Sequence, residues 1–237
     1  MRIDKLISEC GIASRKETAL YAKRGLLYVN GVCVKRADVH VDPERDEVVL
    51  NGRKIVYEQF IYVMLNKPAG YISATEDSCL PVVTELLPEE LQKRDLFPCG
   101  RLDRDTLGLM ILTNDGKLSH YLLSPRHHVS KVYRFRCESP ITASAEKRFT
   151  EGMTLDGGDV CKTARLVCDE GRKSGYVTLV EGKYHQVKRM FEALDNKITY
   201  LERVEFAEIP LDTSLERGEW RYCTEGEIEK LKSFTQQ

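Results

Sequence analysis

Residues 100–116 read GRLDRDTLGLMILTNDG, and this stretch predicts a β-strand that follows a loop with two candidate catalytic carboxylates. Residues 107–113 form an apolar run that is closed by the turn-forming sequence NDG, which is the pattern of a buried strand. Ahead of this strand, a polar loop carries the carboxylates Asp103 and Asp105. The stretch therefore indicates an acidic loop that leads directly into a buried strand.

Other apolar-rich runs predict further strands at residues 60–65, 132–137, 163–168, 176–180 and 200–206. The one well-formed helix of this region is predicted at residues 185–194, where apolar side chains recur at helical spacing from Val187 to Leu194. Because these strands and helices do not alternate as βαβ units, we expect an α+β fold with a mainly antiparallel mixed sheet.

The N-terminal part of the chain has a different pattern. Residues 3–10 have the apolar spacing of an amphipathic helix. Ser14 and Glu17 match a capping box, which predicts a second helix that runs to about Arg24. An Asn-Gly pair at residues 30–31 separates two apolar runs, and this is the strongest short signal of a β-hairpin. The order is therefore helix, helix, hairpin.

Residues 37–58 hold six acidic and three basic groups together with turn-forming pairs. They are interpreted as the end of the small module followed by a short connector. We therefore predict two domains, at residues 1–58 and 59–237.

The charge of the 237-residue chain is unevenly distributed. Its 36 Lys+Arg and 37 Asp+Glu give a net charge of −1, yet residues 1–36 hold eight basic and three acidic groups. Such a basic block is typical of a surface that binds phosphate. The longest wholly apolar runs are about six residues, whereas a membrane span requires roughly 20. No secretory signal pattern is present at the N-terminus, so we expect a cytoplasmic chain with no membrane association.

The eight cysteines include no CxxC pair, and no histidine is placed to complete a zinc site with them. We therefore expect free thiols in a reducing compartment and no metal. Three segments carry candidate chemistry: the acidic loop, the basic loop SPRHHVSKVY at residues 124–133, and EGKYHQVKRM at residues 181–190. From residue types alone, Asp103 and Asp105 equally fit turn caps, Tyr133 fits a core position, and Lys188 and Arg189 fit a solvated helix face.

The segment RIDKLISECGIASRKETALYAKRGLLYVNGVCV resembles the small RNA-binding domain named after small-subunit ribosomal protein S-four. The resemblance covers about 45 residues and implies that the second helix and the hairpin lie on structured RNA. It assigns RNA contact to the polar and basic residues Ser14, Arg15, Lys16, Lys23, Arg24 and Lys35. We expect such phosphate-directed binding to be sensitive to salt.

The motifs NKPAGY, GRLDRDTLGLMILTNDG, SPRHHVSKVY and EGKYHQVKRMF together resemble the RsuA-type branch of the pseudouridine synthases. The resemblance implies that Asp103 is the essential aspartate and that Tyr133 packs on the target base. It also implies that Lys188 is the basic partner of Asp103, with Arg189 as the alternative partner. The implied chemistry requires neither a metal nor a redox cofactor.

The resemblance also implies a substrate. SPRHH and KYHQVKRMF favour small-subunit (16S) ribosomal RNA, free or in an assembly intermediate, as the partner of a monomeric enzyme. Charge and position in the sequence add further RNA contacts at Arg101, Arg104, Arg126, Lys131 and Arg189. The alternatives are a synthase acting on large-subunit RNA, a non-catalytic ribosome-assembly factor, and a hydrolase that uses Asp103 and Asp105 as paired carboxylates.

Overall fold

The computed structural model describes residues 1–236, and the chain falls into two units that are described separately. The first unit comprises Met1–Ile61 and Leu87–Leu96, and the second comprises Tyr62–Leu86 and the described chain from Phe97 onward. The domain boundary at residue 58 stays a prediction, and no pattern in the sequence pointed to the segment Leu87–Leu96 as part of the first unit.

The first unit contains three helices and a four-stranded sheet. The elements are α1 (Ile3–Glu9), α2 (Arg15–Lys23), β1 (Leu27–Val29), β2 (Val32–Cys33), β3 (Val48–Leu50), β4 (Arg53–Ile55) and α3 (Glu89–Gln92). The capping box is present at the start of α2, where Ser14 Oγ accepts from the backbone of Glu17 at 3.3 Å and the Glu17 carboxylate accepts from Ser14 N at 2.8 Å. Asn30 and Gly31 both have positive φ, at 49° and 78°, as the hairpin turn requires.

The interpretation of residues 37–58 as a module end and connector is wrong for their second half. The strand order is β2-β1-β3-β4, so β3 pairs with β1 in the middle of the sheet. A second Asn-Gly turn joins β3 to β4, with φ of 50° at Asn51 and 79° at Gly52. The strands are only three residues long, and the surrounding acidic and turn-forming residues conceal the pattern of Val48, Leu50 and Ile55, which are buried.

The second unit is built on a nine-stranded sheet. Its strands are β5 (Tyr62–Lys67), β6 (Phe97–Pro98), β7 (Leu107–Thr113), β8 (Lys131–Cys137), β9 (Arg165–Cys168), β10 (Ser174–Leu179), β11 (Ile198–Phe206), β12 (Ile209–Pro210) and β13 (Trp220–Tyr222). The main order is β13-β5-β7-β11-β8-β10-β9, with β6 beside β7 and β12 beside β11. Only β7 and β11 pair in parallel, so the predicted α+β class with a mainly antiparallel mixed sheet agrees with this unit.

The prediction of one well-formed helix in this region is wrong. Besides α6 (Gln186–Glu192), the unit contains α4 (Gly116–Leu123), α5 (Ala145–Glu151), α7 (Glu225–Ser233) and the 3-10 turns Val83–Leu86 and Phe234–Gln236. The NDG sequence ends β7 and also starts α4, because the Asp115 side chain accepts from the backbone of Leu118 at 3.0 Å. Residues that form turns also cap helices, and that double use concealed α4. None of the helices within residues 1–236 is long and apolar enough to cross a membrane.

The sheet register brings the chemically distinctive segments together. Leu179 at the end of β10 pairs with Lys131 at the start of β8, so the loop before α6 lies next to the basic loop before β8. Leu107 at the start of β7 pairs with Glu202 on β11, the strand that separates β7 from β8. At Gly108, with φ of 98°, an added Cβ would overlap the carbonyl oxygen of Arg203, so β7 and β11 approach closely here only because the residue is glycine.

Candidate active site

A cavity of about 340 Å³ lies where these segments meet in the second unit. Asp103 from the acidic loop, Tyr133 from β8 and Lys188 from α6 all line it. The structure therefore brings together the three residues that the sequence singled out as catalytic, from positions up to 85 residues apart along the chain.

The carboxylate of Asp103 is paired with Lys188. Lys188 Nζ lies 2.9 Å from Asp103 Oδ2 and 2.6 Å from Asp105 Oδ1. Burial alone would lower the pKa of Lys188, but its hydrogen bonds to Asp105 and Asp103 outweigh burial and raise that pKa. Burial would likewise raise the pKa of Asp105, but the Lys188 ammonium lowers it below its usual value. Lys188 therefore carries its positive charge between two carboxylates.

Arg189, the alternative partner of Asp103, is engaged elsewhere. Its Nη1 lies 2.7 Å from Asp159 Oδ2, and its Nη2 donates to the carbonyl oxygen of Asp156 at 2.6 Å. The question left open between Lys188 and Arg189 is therefore answered in favour of Lys188, because the side chain of Arg189 binds the segment before β9.

His185, which received no role from the sequence, is a second neighbour of the aspartate. Its Nε2 lies 3.4 Å from Asp103 Oδ1, and its ring stacks on Tyr184 with centroids 3.8 Å apart. The residue precedes α6 with a left-handed backbone, φ 48°. The motif KYHQVK contained it, but nothing in the pattern distinguished it from an ordinary loop histidine.

Lys67 binds the backbone of the loop that carries Asp103, and the sequence did not indicate this role. Lys67 is fully buried at the end of β5, and its Nζ donates to the carbonyl oxygens of Pro68 at 3.1 Å, Asp103 at 3.1 Å and Thr106 at 2.9 Å. Burial lowers the pKa of Lys67 to about 8. The NKPAGY motif, which entered the sequence analysis only as part of the family resemblance, thus supplies the anchor of the acidic loop.

The floor of the cavity is the face of the sheet that carries Tyr133. Tyr133 is 8% exposed and pairs across the strands with Arg203 on β11, which is 1% exposed. Lys131, two residues before Tyr133 on β8, is 7% exposed, and its Nζ donates to the carbonyl oxygen of Val129 at 3.0 Å. Lys131 was expected among the phosphate contacts of the basic loop, but the structure places it inside the cavity. Arg203 carried no sequence signal.

Of the other residues assigned to RNA contact, Arg189 is half-buried and paired with Asp159, and the rest are exposed to solvent. In the second unit these are Arg101, Arg104 and Arg126, and in the first unit they are Ser14, Arg15, Lys16, Lys23, Arg24 and Lys35. Arg104 also donates to the carbonyl oxygen of Gly70 at 3.2 Å, which ties the acidic loop to the NKPAGY loop. Their contacts with RNA stay predictions.

The arrangement can support chemistry at a carboxylate. An oriented aspartate in a cavity can act as a nucleophile or remove a proton, and the neighbouring ammonium fixes the position of one of its oxygens. Within residues 1–236, no three His, Cys, Asp or Glu side chains are grouped so as to hold a metal ion.

Comparisons with known proteins all match this chain to pseudouridine synthases. The family model described as RNA pseudouridylate synthase matches residues 61–193. An uncharacterized RNA pseudouridine synthase of Bacillus subtilis, YtzG, is 42% identical over 98% of both chains. Proteins named ribosomal small subunit pseudouridine synthase A are also similar, at 37% identity in Haemophilus influenzae over 98% of this chain and 99% of the relative. The corresponding protein of Escherichia coli is 38% identical over 96% and 98%.

A solved structure covers the same length. A crystal structure described as a pseudouridylate synthase is 36% identical, with a TM-score of 0.69, and covers 98% of this chain and 99% of its own. Sequence and fold therefore point to the same group of proteins.

Proposed function

The chain belongs to the RNA pseudouridine synthases, the isomerases that convert uridine in RNA to pseudouridine, and we propose that its substrate is small-subunit (16S) ribosomal RNA. The resemblance to the RsuA-type branch is confirmed. Because the family consists of isomerases, the hydrolase and the non-catalytic assembly factor are no longer supported as alternatives. Full-length similarity to enzymes named for the small subunit supports the substrate. The motifs SPRHH and KYHQVKRMF support it as well.

The observation that carries the mechanism is the pair of Asp103 and Lys188 at 2.9 Å on the wall of the cavity. The reaction breaks the bond between ribose and the base nitrogen, turns the base, and joins it again through carbon five. Asp103 is proposed to act either as a nucleophile or as a base that removes a ribose proton. Both roles use the ionised carboxylate, which Lys188 orients through the ion pair, while Lys67 fixes the loop backbone.

Tyr133 is proposed to hold the target base. Uridine must leave the base stack to reach a cavity, and this costs a few kcal/mol. Tyr133 lines the cavity on the same strand face as Lys131, so a flipped base can pack on its ring. The contact offsets part of the energy of unstacking.

The first unit is proposed to bind RNA through its exposed basic residues, and the enzyme is proposed to act as a cytoplasmic monomer. Replacing Arg15 and Lys16 together by Gln should reduce the slope of log K against log salt by about 2, or about one per phosphate contact. Filter binding to 16S transcripts at several salt concentrations measures this slope. An unchanged slope would show that Arg15 and Lys16 do not contact phosphate. The monomeric state is tested separately by sedimentation, and a dimer would contradict it.

The activity is tested by release of tritium from uridine labelled at carbon five, with 16S and 23S transcripts as parallel substrates. We expect release from the 16S transcript, abolished in Asp103→Asn although RNA binding persists. Asp195→Asn is the matched control, because Asn tolerates the left-handed backbone of residue 195, φ 54°, outside the cavity lining. Release from the 23S transcript alone would establish the large-subunit alternative, and normal turnover by Asp103→Asn would refute the mechanism.

A further inference from the structure

Two buried cations, Lys131 and Arg203, line the cavity without an acidic partner. They are 7% and 1% exposed, and none of the ion pairs formed within residues 1–236 includes either of them. A charge removed from water is costly unless it is paired. Two unpaired cations of this kind in one cavity indicate a site prepared for an anion.

The surroundings of the two cations leave donors available. Lys131 Nζ donates to Val129 O at 3.0 Å, and Arg203 Nε donates to Leu109 O at 2.8 Å. Both lie over the ring of Phe206, with Lys131 Nζ 5.6 Å and Arg203 Cζ 5.0 Å from its centroid. An ammonium has three N–H donors and a guanidinium has five, so these contacts do not exhaust either group.

The cations flank the position proposed for the target base. Arg203 is the cross-strand neighbour of Tyr133, and Lys131 lies two residues before Tyr133 on the same face of β8. If the base packs on Tyr133, as proposed above, its polar edge lies beside both cations. The inference rests on that proposed role of Tyr133.

The reaction creates an anion at this place. When the bond from ribose carbon one to base nitrogen one breaks, its electron pair leaves with the base, which becomes uracilate. Ribose carbon one is then bound to the Asp103 carboxylate, or it becomes part of a double bond if Asp103 has removed the proton from ribose carbon two. Carbon five of the turned base next bonds to ribose carbon one, and at the same time the ester bond to Asp103 breaks or, in the second route, Asp103 returns its proton to ribose carbon two. Carbon five then loses its proton and nitrogen one gains one, so uridine and pseudouridine have the same atoms and electrons.

We propose that Lys131 and Arg203 form a binding site for the detached uracilate, holding its negatively charged oxygens and ring nitrogen while the base turns. A backbone phosphate could use the same donors, but a flipped nucleotide enters a cavity base first, and its phosphates remain linked to the chain on both sides. The burial of both cations beside Tyr133 therefore favours the base over a phosphate.

The proposal is tested with Lys131→Met, which removes the charge at similar volume, and Lys131→Arg, which retains it. Loss of one oriented charge at a developing anion reduces kcat by ~100-fold. We expect that loss in Lys131→Met with little change in KM, and most of the activity in Lys131→Arg. Lys147→Met, an exposed lysine on α5, is the control with the same change of charge. Thermal denaturation verifies that each variant is folded.

A second substrate separates a role in charge stabilisation from a structural role. Fluorine at carbon five withdraws electrons and stabilises uracilate, so RNA with 5-fluorouridine at the target position depends less on the protein cation. Fluorine cannot leave carbon five as the proton does, so the reaction stops after carbon five has bonded to ribose. The rate is therefore measured in a single turnover, as loss of the 5-fluorouridine nucleoside after nuclease digestion and chromatography. We expect the loss in Lys131→Met to be at least tenfold smaller with this RNA.

Several results would overturn the proposal. An equal loss of rate with both RNAs in a single turnover would make Lys131 a structural residue, and a slow Lys131→Arg would show that the charge is not required. A rise in KM with unchanged kcat and a lower salt slope would identify a phosphate contact instead. The same measurements on Arg203→Lys and Arg203→Met test the second cation.

Discussion

Replacing Lys131 by Met should stabilise the protein even though it slows the reaction. Burial, with help from the neighbouring Arg203, lowers the pKa of Lys131 from 10.5 to about 8. One pKa unit corresponds to about 1.4 kcal/mol, so keeping this proton in the folded state costs about 3 kcal/mol at pH 7. Met loses one hydrogen bond to Val129 O, about 1 kcal/mol. The net gain is about 2 kcal/mol.

The sign of this effect depends on pH. Below pH 8, Lys131 is protonated in both the folded and the unfolded chain, and the whole cost is present. Between pH 8 and 10.5 the folded protein releases the proton while the unfolded chain keeps it, so the stability of the wild type rises. The other charged or titratable groups acting on Lys131 are Cys99, whose pKa burial raises, and Glu181. The advantage of the Met variant should therefore disappear near pH 10.

Thermal denaturation of wild type, Lys131→Met and Lys147→Met at pH 7 and pH 10 measures both effects. About 2 kcal/mol in a domain of this size corresponds to a rise in Tm of about 4–8 °C at pH 7. The exposed Lys147 should give no comparable rise. A lower Tm for Lys131→Met at pH 7, or a difference that is the same at both pH values, would refute the assignment of a buried, unpaired ammonium.

Three further substitutions test the framework of the site. Lys67→Met should lower kcat, because the carbonyl oxygens of the acidic loop lose their donor. It should lower Tm by the equivalent of only about 1 kcal/mol, since the loss of four hydrogen bonds, about 4 kcal/mol, is largely offset by removal of a buried ammonium, about 3 kcal/mol; an unchanged kcat would contradict the anchor. Gly108→Ala should lower the free energy of unfolding, measured in urea, by about 3 kcal/mol or more, because its Cβ would overlap Arg203 O and residue 108 has a positive φ. An unchanged free energy of unfolding would contradict the close approach of β7 and β11. Ser14→Ala should cost about 1 kcal/mol in the same assay, through loss of the cap on Glu17 N, and no change would contradict the capping box.

Local patterns predicted the elements whose signal lies within a few residues. The apolar run at residues 107–113 is β7, and the Ser14 capping box begins α2. The predicted helix at residues 185–194 is shorter, Gln186–Glu192, because His185 adopts a left-handed backbone. The predicted strand at residues 60–65 lies two residues further on, at Tyr62–Lys67, since pairing with β7 sets its register and an apolar run does not.

The site was predictable only in part, for a related reason. Asp103 and Lys188 lie in motifs that carry a resemblance, but Lys67 and Arg203 act through contacts 36 and 94 residues away, fixed by the sheet. Lysine and arginine are mostly exposed in proteins, so their residue type predicts a position on the surface. The same expectation placed Lys131 among the outer phosphate contacts.

The charges around the cavity are arranged for the product of bond breaking rather than for the substrate. Lys188 is balanced by Asp103 and Asp105, whereas Lys131 and Arg203 have no carboxylate partner within the described chain. Uridine is neutral when it enters and becomes an anion only as its bond to ribose breaks. An interaction that strengthens only at that stage raises kcat rather than lowering KM. The stability lost by burying an unpaired ammonium is therefore recovered in the transition state, which is why the same substitution should stabilise the fold and slow the reaction.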